Sequence, residues 1–197
     1  MSKVKVWSLL FLAIGLMVVC AGAISMKSSS DKPSFVIRKV DKQVVLYTIH
    51  RGSYDKTGMA IGKLFALAGR KGISPRGAMS YVYLNNPDYV SKEHRLTEIR
   101  IPVGEEALKL AGTLGEMTDV KALPALELAV AVKPEGQVDP SPIYDSLHAW
   151  IYKQGYVVVE GPIEIFLTNV MTGDYSRMKT EIMVPIKKLP KEPKQKD

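Results

Sequence analysis

The stretch TEIRIPV, Thr97 to Val103, returns 83 residues later as TEIMVPI, Thr180 to Ile186. A chain that writes one phrase twice is built from two related halves, provided other positions keep the same offset. They do. Tyr83-Leu84 returns as Phe166-Leu167, and Lys71-Gly72 returns as Gln154-Gly155.

Working outward from the repeated phrase, each half reads as strand, helix, strand, strand. In the first half, QVVLYTIH has the β-branched and aromatic density of a strand. Residues 54–71 follow as a helix, with Ile61, Leu64, Phe65 and Ala68 at i, i+3, i+4 and i+7. Gly72 is its natural stop. AMSYVYL and LTEIRIPV are the next strands, joined by the turn-rich NNPDYVSKEHR. The second half offers ALPALELAVAV as a strand and residues 140–154 as a helix. Ile143, Leu147, Trp150 and Ile151 line one side of that helix, Pro142 fits its first turn, and Gly155 ends it. PIEIFLT and MKTEIMVPI complete the half. Residues 104–121 join the halves, with a short helix in GEEALKLAG.

The expected fold is therefore α+β, with pseudo-two-fold duplicated strand-helix-strand-strand units. Antiparallel sheets carry helices on one face and a ligand cleft on the other. The folded domain spans about 35–188, in halves of about 35–104 and 122–188.

The ends read differently. After MSKVK comes the apolar run VWSLLFLAIGLMVV and then CAGA. Lys3 and Lys5 with an Ala21-x-Ala23 site fit a secretory signal. The uncharged stretch from Val6 to Ile24 also suits an uncleaved membrane anchor. Cys20 offers lipid attachment behind a poor lipobox, Met17-Val18-Val19. Each alternative over residues 1–24 places the domain outside the cytoplasm if the two lysines stay inside. Residues 25–34 are a polar linker, and residues 189–197 a basic, disordered tail.

Cys20 is the single cysteine, so the domain has no disulfide, thiol nucleophile or cysteine metal site. The net charge of +7 sits largely in the leader lysines and in five lysines among residues 187–197. No basic face is left for a nucleic acid.

Strand alternation then sorts side chains. Ser80, Val82 and Leu84, with Ile163, Ile165 and Leu167, are expected against the helices. So are Leu126, Leu128, Val130 and Val132, along with Ile182, Val184 and Ile186. Tyr81, Tyr83, Glu164, Phe166 and Glu127 are left on the opposite face. Carboxylates among aromatic rings suit a small organic cation, because ring faces and a carboxylate both attract positive charge. A wet sheet face is the plainer account of Glu98, Glu127 and Glu181. Glu164 differs, because its strand is apolar and reads as central.

HRGSY after the first strand, YVYLNNPD, GPIEIFLTN and KTEIMVPI together resemble the GyrI-like small-molecule-binding family. This is the effector-binding domain attached to many AraC- and MerR-type regulators. The resemblance covers about residues 35–188. It implies a pseudo-symmetric α+β fold with a ligand cleft between the halves. It gives Glu164, in Glu164-Ile165-Phe166-Leu167, the role of contacting a cation or polar ligand group, with Tyr81 and Phe166 as aromatic walls. One departure is Lys133-Pro134-Glu135-Gly136-Gln137, where many members carry H-x-G-x-Y.

No cofactor is expected. The implied function is an exported or tethered binding module for a cationic or aromatic molecule. One alternative is a small-ligand hydrolase using Glu164 as acid or base, aided by Tyr81 or Tyr83. Another is haem binding of the SOUL type through His50, His94 or His148. A third is a structural or protein-interaction role.

Overall fold

The repeated phrase forms two strands that occupy matching places in one sheet. The structure, a computed structural model, describes residues 34–133, 139–167 and 180–190. Its strands are β1 (Phe35–Val40), β2 (Gln43–Arg51), β3 (Ser80–Tyr83), β4 (Leu96–Val103) and β5 (Thr118–Leu123), then β6 (Leu126–Lys133), β7 (Tyr156–Val158), β8 (Ile163–Phe166) and β9 (Thr180–Lys188). The helices are α1 (Thr57–Arg70) and α2 (Ser141–Lys153).

The described strands form one antiparallel sheet in the order β1-β6-β9-β8-β3-β4-β2-β5, with β7 also paired to β9. That order reads alike from either end. Its centre is the β3–β8 pair.

The offset of 83 holds in the hydrogen-bond register as well as in the letters. Advancing Val44↔Val103 by 83 gives Glu127↔Ile186, and advancing Tyr81↔Ile99 gives Glu164↔Ile182. Gly72 has φ 66° and Gly155 φ 72°. Each follows its helix in the left-handed conformation that glycine adopts at little cost. After α1 the Gly72 N–H donates to the Gly69 carbonyl (3.2 Å) and Ile73 N–H to that of Ala68 (2.9 Å). This closes the helix end as a Schellman turn. At the centre, Tyr81 pairs with Glu164. These two residues are each other's equivalents under the offset, so they meet at the pseudo-dyad.

Both helices lie on one face. Ile61, Leu64 and Ala68 of α1 pack with Leu46, Tyr81, Ile99 and Ile101. Ile143, Leu147 and Ile151 of α2 pack with Ala129, Ala131, Ile182, Val184 and Ile186. Leu147 and Ile151 are fully buried, so each anchors its helix by about 1.5–3 kcal/mol of apolar burial.

The facing of three strands corrects the sequence reading. Tyr81, Glu164 and Phe166 share the helix-bearing face with Ile99 and Ile182. Val82, Leu128, Val130, Ile163 and Met183 form a separate cluster on the other face, joined by Ile165. So Val82, Ile163, Ile165, Leu128 and Val130 do not pack on the helices. Ala129 and Ala131 do, and their small side chains let α2 approach the sheet. In LELAVAV Glu127 suggests that the Ala129 and Ala131 side is polar, yet that side packs on α2 and Glu127 stands at the strand's end beside Lys39. Ile182, Val184 and Ile186 face the helices as expected.

Three strands go beyond the sequence reading: β1, β5 and β7. β1 precedes the first half in sequence yet pairs with β6 of the second. The two helices fall where expected, and GEEALKLAG holds a 3-10 turn at Glu105–Leu110. The described residues belong to the compact unit Lys32–Asp197. Residues 1–33 lie outside the described residues, as do 134–138, 168–179 and 191–197, so the leader and most of the tail are not addressed by it. Among the described residues no helix is long and apolar enough to cross a membrane.

Candidate functional site

The central β3–β8 pair depends on a glycine. A Cβ on Gly161 would stand 2.5 Å from the backbone oxygen of Tyr83. Only a residue without a side chain lets the chain entering β8 lie so close to β3. The Tyr83 N–H then donates to the Pro162 carbonyl at 3.3 Å.

This approach sets Glu164 among phenols. The Tyr83 hydroxyl donates to Glu164 Oε2 at 2.9 Å, and the Tyr144 hydroxyl to Oε1 at 2.8 Å. Tyr144 comes from the start of α2, so helix and central strand are tied through the carboxylate. Tyr54, in the 3-10 turn before α1, meets Tyr83 edge to face with ring centroids 5.1 Å apart. The Arg95 guanidinium lies 4.9 Å above the Tyr54 ring. On the neighbouring flank Tyr81 and Phe166 meet at 4.7 Å, also edge to face. The Tyr81 hydroxyl donates to Thr57 Oγ1 at 2.9 Å, and Thr57 donates to the Tyr54 carbonyl at 2.8 Å.

Burial first, and the Glu164 charge second, push the Tyr83 and Tyr144 phenols well above their ordinary value. Both are therefore fixed as neutral donors. Burial also raises Tyr54, opposed by Arg95 and reinforced by Glu164.

Glu164 is half-buried, and no lysine or arginine nitrogen lies within ion-pair distance of it among the described residues. The other enclosed carboxylates differ. Glu98 bridges Arg100 (2.5 Å) and Lys121 (2.7 Å) on the opposite face, and Glu181 pairs with Arg38 at 2.6 Å. Glu98 is thus a buried ion-network member, not part of a wet face. A carboxylate has room for about four hydrogen bonds, and the two phenols fill half of Glu164's.

Of the residues singled out from sequence, Glu164, Tyr83, Tyr81 and Phe166 come together. Glu127 does not join them. It lies on β6, beyond β9, beside Lys39 at 3.7 Å. Tyr144, Tyr54 and Arg95 are additions. Tyr144 had a signal: it stands three residues before Leu147 and seven before Ile151, on the buried stripe of α2. Tyr54 closes the HRGSY segment that carries part of the resemblance, whereas Arg95 sits outside regular periodicity and had no signal.

The histidines have other company. His50 Nε2 lies 3.1 Å from the Ser53 carbonyl, His94 Nδ1 2.9 Å from the Ser91 hydroxyl, and His148 beside the Tyr144 ring at 6.5 Å. Among the described residues no group of three or more His, Cys, Asp or Glu is placed to hold a metal ion. An open groove of about 640 Å³ runs between α1 and the end of β2. Arg51, Lys56, Lys63 and Arg70 line it, so it disfavours a cation, and none of the Glu164 cluster reaches it.

No family model matches the sequence, and no curated protein matches it. Solved structures do. The C-terminal domain of EcmrR aligns with a TM-score of 0.65 at 14% identity, over 80% of this chain and 99% of that one. EcmrR in its DNA complex gives 0.66 at 13% identity, but this chain spans only 58% of that longer protein. A hydrolase from Listeria innocua gives 0.58 at 14% identity, over 79% and 92% of the two chains. At such identities the likeness is one of fold, and the chain has the curled antiparallel α+β fold that the GyrI-like resemblance implies.

Proposed function

We propose that this is a small-molecule-binding domain, exported or tethered through its N-terminal segment, whose ligand places a cationic group against Glu164. The observation that carries this reading is an enclosed carboxylate held by two phenols, flanked by rings, with no lysine or arginine of the described residues paired to it. A ligand cation about 5 Å away gains about 3 kcal/mol at an effective dielectric near 20. The rings add about 0.5–2 kcal/mol for each face they offer. Phenols held in the neutral form are donors, which suits a holding site. The EcmrR domain supplies a precedent for the fold.

The test uses (4-phenylbutyl)trimethylammonium and its uncharged analogue, with tert-butyl in place of trimethylammonium. Calorimetry on the residue 32–197 unit should show the cation binding at least tenfold more tightly. Glu164→Gln should erase that preference. Equal affinity for the two probes, or a preference that survives Glu164→Gln, would refute the reading.

A further inference from the structure

Among the described residues three buried side-chain atoms have no hydrogen-bond partner: Tyr54 Oη, Arg95 Nε and Thr97 Oγ1. Such orphans are uncommon in folded proteins, and each calls for an explanation. These three converge. Thr97 is wholly buried, sits directly opposite Tyr83 in the β3–β4 ladder, and shares its face. Tyr54 packs on Tyr83, and Arg95 covers Tyr54. Thr97 and Tyr54 border the phenol that bonds Glu164, and Arg95 borders Tyr54.

Their chemistry is complementary to Glu164. Arg95 Nε–H is a donor only, and the two hydroxyls can donate or accept. The guanidinium plane is stacked on a ring, so its edge is what remains to bind. Glu164 accepts within the cluster, and beyond Tyr83 the Arg95 Nε–H and two hydroxyls stand without partners, while Arg95 Nη2 donates to the Pro87 carbonyl at 3.5 Å.

We infer that the ligand is bipolar: a cation at Glu164 and, at its other end, an acceptor oxygen of the carbonyl type bound by Arg95, Tyr54 and Thr97. This rests on the binding reading above and narrows its ligand class. A purely lipophilic cation would leave the second pole unmatched. An acceptor there satisfies an arginine Nε–H that otherwise has no partner, and such mismatches separate otherwise similar ligands strongly.

Benzoylcholine and (4-phenylbutyl)trimethylammonium form a matched pair, with the same ring, chain length and cation, differing in the ester oxygens. Wild-type protein should bind benzoylcholine about tenfold or more tightly than its partner. In Arg95→Met the two affinities should become equal, through loss of benzoylcholine binding alone. Tyr54→Phe should narrow the gap and leave the melting temperature of the free protein unchanged or higher, because it removes an unpartnered hydroxyl. Equal wild-type affinities would overturn the inference while leaving the cation site standing. A gap that persists in Arg95→Met, a melting temperature several degrees lower in Tyr54→Phe, or weakening of both probes together would also overturn it. Binding of neither probe would remove both readings.

Discussion

Raising the pH through the phenol range probes the Glu164 cluster without any ligand. Tyr83 and Tyr144 titrate near pH 10 in the unfolded chain, and burial with the Glu164 charge holds both higher in the fold. The sign follows from proton counting. Below about pH 10 both states keep the phenolic proton, and stability does not depend on these groups. Above it the unfolded chain releases protons that the folded one retains, so stability falls until the folded values are reached. At about pH 11 each tyrosine removes about 1.4 kcal/mol, and the pair about 3 kcal/mol. That is a large share of a domain's usual ~5–15 kcal/mol. Denaturant midpoints between about pH 8 and pH 11 would measure the fall. Lysines and the remaining tyrosines contribute equally to wild type and variants, so the comparison is with Tyr83→Phe and Tyr144→Phe. Each single variant should lose about half of the excess slope, and the double variant nearly all of it. If wild type and the double variant weaken equally with alkali, the two phenols are not held protonated against Glu164.

Two further outcomes follow from packing. Gly161→Ala would drive a methyl into the Tyr83 carbonyl 2.5 Å away. It should cost about 1–3 kcal/mol, read as a lower denaturant midpoint. Arg100→Met strips the buried Glu98 of its 2.5 Å partner but leaves Lys121. The loss should be about 2–3 kcal/mol, short of the ~3–5 of a fully broken buried pair. Adding Glu98→Gln should restore part of that loss in the same chemical-denaturation assay.

How much was legible follows from which signals the chain duplicates. The repeated TEI-x-x-P phrase and the two glycine stops marked the halves and the helices, and the apolar run around Glu164 marked the central place of β8. Ile182, Val184 and Ile186 showed their facing because Glu181 marks the other side as polar. In LELAVAV the corresponding marker, Glu127, pointed to the wrong side, and SYVY had no charged marker. Both sides of β6 are buried, and Tyr81 and Tyr83 are aromatic residues whose hydroxyls find partners inside. Alternation of polarity therefore carried no information where both faces are dry. The Glu164 strand was recognised, but its phenol partners were half hidden. Tyr83 stood in the sequence reading, but Tyr144 comes from another element 20 residues away. A hydrogen bond between elements is set by the packing of both, which local spacing does not report.

The pseudo-dyad explains why the site is lopsided. Positions 81 and 164 are equivalent and stand opposite each other in the central pair. Two carboxylates there would repel in a partly dry site, and two tyrosines would give a neutral, closed core. The chain places one of each. Tyr81 is tied to α1 through Thr57, and Glu164 is tied to α2 through Tyr144. At the matching place in α1, Ile61 stands where Tyr144 stands in α2, and it packs into the apolar cluster. The first half thus spends its central residue on holding its own helix within the core. The second half presents a charge that its helix holds in place but does not neutralise. Symmetric backbone with asymmetric side chains thus leaves one carboxylate, held by phenols, at the seam between the two halves.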